Sequence, residues 1–334
     1  VVAEEKTLNT GAVEQAHWPV LCIMGPTAAG KTELAMQVAD TLATDGIGVD
    51  LISVDAVQVY RGLDIGSAKP DAQTLQRYPH ALIDIRSPLE SYDAWQFCQD
   101  THKLLQQARR HGRIPVLVGG SMFYFNALLH GLDALPTGDA ALRNSLQRRA
   151  AEQGWPALHA ELAAHNPEAA ADIHHHDAQR IMRALEICTQ SVNPSGMQPA
   201  SAAVHGLSNE WRVVKVIVHD LQRHTLHQRI HARTRRMLDS GLLNEVRSLI
   251  KQCDMHSLPP SMRAVGYRQA WAVLHEQFAE SELVDIISAA TRQLAKRQFT
   301  WLRNQAGAIW INRDWQQSHT LVVMRVKSEI SCLI

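Results

Sequence analysis

The sequence predicts an α/β fold, a parallel sheet flanked by helices with an all-helical domain inserted into it. Three observations predict it. Short apolar runs alternate with helix-spaced segments from Trp18 onward, a glycine-bearing loop joins the first strand to the first helix, and a long middle segment loses its strands.

Residues 1–17 are polar or small and read as a flexible tail. Val20-Leu21-Cys22-Ile23-Met24 is a short buried strand. Gly25-Pro26-Thr27-Ala28-Ala29-Gly30-Lys31-Thr32 follows it, and Glu33 to Ala39 then has helical spacing, which is the setting that a G-x-x-x-x-G-K-[ST] phosphate loop needs. The sheet is therefore expected to be P-loop NTPase-like. Val49 to Val54 is a second strand whose carboxyl end carries Asp55. Ala81 to Ile85 is expected as a third strand, Tyr92 to His111 as a helix, and Ile114 to Val118 as a fourth strand ending in Gly119-Gly120. Ligands of such sheets lie beyond the carboxyl ends of the strands, so the 25–32 loop, Asp55 and Gly119-Gly120-Ser121 should converge on one crevice.

From residue 132 to 205 Ala, Gln, His and Arg dominate, and Pro136, Pro167, Pro194 and Pro199 punctuate the segment. It reads as a helical insertion between two halves of the core, 18–131 and 206–314, with Asn193 to Pro199 as a linker. Val213 to Val218 returns the chain to the sheet, and Ala308 to Ile311 is expected as the last strand. Residues 315–334 carry no clear pattern and read as a C-terminal tail.

At 334 residues and 46% hydrophobic, the chain can bury a core large enough for one big domain and a smaller one. Basic and acidic residues both number 33, so no global field marks a polyanionic partner and any nucleic-acid site must be a local patch. The five cysteines are scattered without C-x-x-C spacing, which argues against disulfides and zinc. No basic leader with an apolar core and no membrane-length apolar stretch is present, so the sequence reads as a soluble, cytoplasmic protein.

Glycines at 25 and 30 let the loop backbone curl its N–H groups inward, the helix N-terminus adds positive potential, and Lys31 adds a full charge. Thr32 is the expected Mg²⁺ ligand. A bound di- or triphosphate is the working premise. Phosphoryl-transfer enzymes usually place a second acid at a strand end, which Asp55 fits weakly, while the fourth strand ends in two glycines. If the phosphates instead leave from carbon, loop, Lys31 and metal stabilise the departing charge and Asp55 is free to act as a base. The plainer reading of Asp55 is a cap. Arg229, Arg233 and Arg236 share one helical face in an acid-free basic stretch, and Arg292, Lys296, Phe299 and Arg303 form a second stripe that suits an RNA backbone with unstacked bases. A solvated basic face over core aromatics is the plainer reading of either stretch alone. His174-His175-His176 reads as a solvated cluster rather than a metal site, because consecutive helical side chains diverge.

Together these pieces resemble the tRNA dimethylallyltransferases, also called tRNA isopentenyltransferases. The motifs are the phosphate loop, the run from Ser53 to Pro70, Val118 to Tyr124, Asp177 to Glu186, Arg263 to Gln269 and Lys296 to Arg303. They span about Pro19 to Asn312 in family order. The resemblance implies transfer of a dimethylallyl group from dimethylallyl diphosphate to N6 of the adenosine beside the anticodon in tRNAs reading U-initial codons, with Mg²⁺ assisting. It implies Asp55 as the base and Gly25, Pro26, Thr27, Ala28, Ala29, Gly30, Lys31 and Thr32 as the diphosphate cradle, completed by Ser121 and by Arg233 in preference to Arg229. Implied tRNA contacts are Asp55, Ala56, Val57 and Gln58, then Ser121 and Arg143, then Gln179, Arg180, Ile181, Met182 and Arg183. Further on they are Arg263, Ala264, Val265, Gly266, Tyr267 and Arg268, and Lys296, Arg297, Gln298, Phe299, Thr300, Trp301, Leu302 and Arg303. The insertion would grip the anticodon stem-loop, and the chain is expected to act as a monomer.

Departures from the pattern are small. Ala56 stands where the family often has Ser, Ser67 and Ser121 where it often has Thr, and His175-His176-Asp177 replaces Pro-Asn-Asp. Residues 45–49 form a short extra loop without a clear role. A P-loop kinase and an adenylate isopentenyltransferase acting on free nucleotide are the alternative enzymes. A non-catalytic RNA-binding module is the third reading.

Overall fold

The computed structural model describes residues 17–136, 138–192, 203–207, 210–219, 222–312 and 318–330. The tail before residue 17, the expected linker at 193–199 and Cys332 lie outside them. The chain divides into two compact units, 1–130 with 206–334, and 131–205.

The first unit begins β1 (Trp18–Met24), α1 (Lys31–Thr44), β2 (Val49–Val54), α2 (Ala72–Arg77), β3 (His80–Ala81), α3 (Ala94–Arg110), β4 (Ile114–Gly119) and α4 (Met122–His130). β1 and β4 are apolar almost throughout because helices cover both faces of the sheet. The capping box predicted by no hydrophobic pattern starts α3: Asp93 accepts from the Gln96 N–H, and Gln96 returns its carbonyl to the Asp93 N–H. The third strand is shorter than expected. Leu82 (φ 65°) and Asp84 (φ 57°) take left-handed backbone, so the chain turns away after Ala81 and Asp84 pairs with Lys69.

The second unit holds β5 (Gly131–Leu132), α5 (Ala140–Gln153), α6 (Trp155–His165), α7 (Pro167–Ala171), α8 (Ala178–Val192) and β6 (Val204–His205). It is not wholly helical, since β5 and β6 pair antiparallel at its neck. Leu146, Leu158, Leu162, Ile181 and Leu185 form its own core. At the edge of that core Glu186, fully buried, takes the Asp139 N–H and the guanidinium groups of Arg143 and Arg183. Arg183 also donates to the Pro136 carbonyl at 2.7 Å, which closes the start of the unit onto α8. His174, His175 and His176 form a turn before α8 rather than part of a helix, with exposed rings, His174 stacked on His175 and His176 tilted against both. Among the described residues no group of three His, Cys, Asp or Glu comes together as a metal site.

The first unit resumes with β7 (Trp211–His219), α9 (Arg223–Asp239), α10 (Leu242–Gln252), α11 (Tyr267–Leu274), α12 (Leu283–Arg303), β8 (Ile309–Asn312) and α13 (Ser318–Ile330). The sheet order is β3-β2-β4-β1-β7-β8, and every neighbouring pair runs parallel. β1 thus lies between β4 and β7, which puts the loop after it beside the carboxyl ends of β4 and β2. The segment expected as a tail after residue 314 instead supplies α13, whose Val322, Val323 and Val326 are buried in the main core with Leu34, Val38 and Leu42 of α1. No described helix is long and apolar enough to cross a membrane.

Candidate active site

The loop after β1 is shaped by two backbone irregularities. Gly30 caps α1 with left-handed backbone (φ 87°) and contributes no side-chain cap, which leaves the first-turn amides of α1 open to an anion. Ala28 is also left-handed (φ 64°), a conformation that costs a residue with a Cβ about 1 kcal/mol or more. Lys31 folds back so that its ammonium donates to the Pro26 carbonyl at 2.8 Å. Burial, reinforced by the neighbouring Arg233 and opposed by Asp55, brings its pKa down to about 8.

At the end of β2, Asp55 bends the chain. One carboxylate oxygen accepts from the N–H groups of Val57 (2.8 Å) and Gln58 (3.2 Å), an Asx turn that fixes the carboxylate and leaves its second oxygen for other work. Ser121, after β4, accepts the next amide, that of Ala56, at 3.0 Å through its hydroxyl oxygen and keeps its own hydrogen to donate. The strand ends can approach this closely because residue 119 is glycine: a Cβ there would sit 2.0 Å from the Val54 carbonyl oxygen. Gln58 is turned inward, accepting from the Ser53 hydroxyl at 2.9 Å.

These groups line one cleft of about 640 Å³ with Thr27, Lys31 and Thr32 at the loop, Asp55 to Gln58 and Ser121 at the strand ends, and Arg233 from α9. Burial lowers the pKa of Arg233, with Asp55 opposing and Arg236 adding to the shift. Arg229, one turn earlier, is not among the residues of the cleft wall. The far wall is residues 263–266 with Arg297, Gln298 and Trp301 of α12, and Met122 and Phe123 of α4. Phe123 is 57% exposed and Trp301 39% exposed, so two aromatic faces stand at the opening.

Several expected RNA contacts are placed elsewhere. Tyr267 is fully buried; its hydroxyl donates to Glu245 at 2.7 Å and its ring lies under Gly66, where a Cβ would come within 2.5 Å of it. Glu245 accepts as well from the N–H groups of Asp64, Ile65 and Gly66, so it holds the turn that borders the cleft. Nothing in the spacing announces Glu245. Leu302 and Ile181 are fully buried core residues, and Met182 packs on the insertion's core. Phe299 packs with Ala28 against Leu226, Ile230 and Ala295. Gln298 is buried and bonds to protein groups on both sides. Gln179, Arg180, Arg263, Arg268, Lys296, Arg297, Thr300 and Arg303 remain exposed.

The family model described as IPP transferase matches residues 58–305. The chain belongs to this family. Among its relatives, a tRNA dimethylallyltransferase of Thiobacillus denitrificans is 48% identical over 88% of this chain and 91% of its own. A tRNA dimethylallyltransferase 2 of Hahella chejuensis is 44% identical over 89% of this chain and 91% of its own. The fold is similar to the crystal structure of a tRNA isopentenylpyrophosphate transferase from Bacillus halodurans, with a TM-score of 0.65 and 31% identity over 94% of this chain and 97% of that one. A eukaryotic dimethylallyltransferase acting on tRNA, 20% identical over 94% of this chain and 80% of its own, has the same fold at a TM-score of 0.69.

Proposed function

We propose that this protein transfers a dimethylallyl group from dimethylallyl diphosphate to N6 of the adenosine beside the anticodon of a tRNA. The observation that carries the reading is that the phosphate loop, Arg233 and the fixed carboxylate of Asp55 share one cleft whose mouth is cationic and aromatic.

In the reaction the N6 lone pair attacks the allylic carbon, the carbon–oxygen bond breaks, and its electrons leave on the diphosphate. The amine is a weak nucleophile because its lone pair is delocalised, so a base must take its proton. Asp55 takes it on the oxygen that the Asx turn leaves open. The departing charge is met by the α1 amides, Lys31 and Arg233, all pre-set in the cleft. A Mg²⁺ fits a donor set of this kind: the Thr32 hydroxyl would be its protein ligand, with diphosphate and water supplying the other oxygens. When bound, it would neutralise diphosphate charge. Trp301 and Phe123 offer stacking faces to nucleotides around the extruded adenosine, and the exposed cations of α12 and of residues 263–268 offer phosphate contacts.

The test is incubation with Mg²⁺, dimethylallyl diphosphate and an unmodified tRNA, followed by mass spectrometry of the digested RNA. Prenylated adenosine beside the anticodon is expected. ADP formation from ATP would point to a kinase, prenylated AMP to a nucleotide prenyltransferase, and tRNA bound but unaltered to a binding module.

A further inference from the structure

Gln298 sits in the last two turns of α12 within a run whose outward side chains are cationic, yet its amide faces inward. Its carbonyl oxygen accepts the Thr27 N–H at 3.0 Å, and its NH₂ donates to the Gly120 carbonyl at 2.8 Å. One side chain therefore joins the phosphate loop after β1 to the glycine turn after β4. The contact is tight, since a Cβ on Gly120 would fall 2.8 Å from that nitrogen. The neighbouring residue strengthens the join: Phe299 packs with the strained Ala28 on the α9–α12 cluster. A loop held in a left-handed conformation by a residue with a Cβ keeps it only where its surroundings over-determine it. Here those surroundings are supplied by α12.

We infer that Gln298 is a positioning residue for the donor site, a clamp that fixes the phosphate loop in its anion-ready shape, rather than a contact to RNA. The Thr27 N–H is then not a phosphate ligand, and the cradle is made by the α1 first turn, Lys31 and Arg233. Because the clamp is carried by the helix whose other face bears Lys296 and Arg303, donor binding depends on how α12 is seated. The inference rests on the diphosphate-transfer reading above.

Two measurements separate them. Calorimetric titration of the tRNA-free protein with inorganic diphosphate and Mg²⁺ is compared for wild type, Gln298→Met and Gln298→Asn, alongside tRNA affinity by filter binding. Both variants are expected to bind diphosphate about tenfold more weakly, the scale of one lost buried hydrogen bond, with tRNA affinity within about twofold. Unchanged diphosphate affinity with weakened tRNA binding would overturn the clamp, whereas absence of diphosphate binding in wild type would overturn the functional reading. Amide exchange on the unaltered protein gives an independent check. The Thr27 amide is expected to be protected without any ligand, and exchange at the open-chain rate would overturn the clamp even if neither variant folds.

Discussion

Lys31 and the pair Arg143–Arg183 are cations held in opposite ways. Lys31 rests on a neutral carbonyl with Arg233 beside it, so the cleft carries a local excess of positive charge that an anion relieves. Arg143 and Arg183 lie against one buried carboxylate, Glu186, which fixes their planes and cancels much of their field. The first arrangement gives binding strength; the second gives shape. A phosphate loop gains from unbalanced charge, while guanidinium groups held on one carboxylate have their direction set beforehand.

If the cleft alone holds the chemistry, its base should show the largest effect: Asp55→Ala lowers single-turnover rate about 10²–10⁴-fold. A rate within a few-fold of wild type would remove Asp55 from the mechanism. The excess charge predicts a pH dependence next. Diphosphate favours protonated Lys31, so the Lys31 contribution to affinity is constant below its free-enzyme pKa of about 8 and is lost above it, toward roughly tenfold per pH unit. Calorimetry across that range would show this alkaline limb, and Lys31→Arg should lack it. At the cleft mouth, Trp301→Ala is expected to weaken tRNA binding about tenfold with little change in melting temperature, whereas Phe299→Ala should lower the melting temperature and loosen diphosphate binding. The smallest effect tests the balanced pair. Glu186→Gln should cost about 2 kcal/mol of stability in denaturant titration, discounted because both guanidinium groups are partly exposed, and weaken tRNA binding several-fold. Diphosphate binding should not change. If it falls as far as tRNA binding does, the two regions are not separate devices.

Much of this was legible in the residues, and the exceptions have physical causes. β1, β2, β4, β7 and β8 show as apolar runs, most completely in β1 and β4, whose two faces are both covered. β3 was overestimated because left-handed Leu82 and Asp84 carry no signature in their identities. α13 was missed because Leu321 and Met324 are exposed among its buried valines, which blurs the apolar stripe. In the site, the loop, Asp55 and Ser121 converge as strand order requires, and Arg233 joins them from α9. The contiguous run 296–303 could not be apportioned in advance. Successive residues on a helix turn by about 100°, so a whole motif cannot face one partner. Lys296, Arg297, Thr300 and Arg303 are exposed, while Gln298 and Leu302 are buried.

The position of β1 at the middle of the sheet has a consequence for synthesis. Its partners on the two sides are β4 and β7, so Leu21 waits for both Val116 and Val214, and Leu34 of α1 waits longer still for the valines of α13. During translation the 131–205 unit, with a core of its own, can close while the most apolar strand of the chain is still half paired. The residues of the smaller unit are thus all synthesised before β7 and α13 exist, and until then one edge of β1 has no strand to cover it.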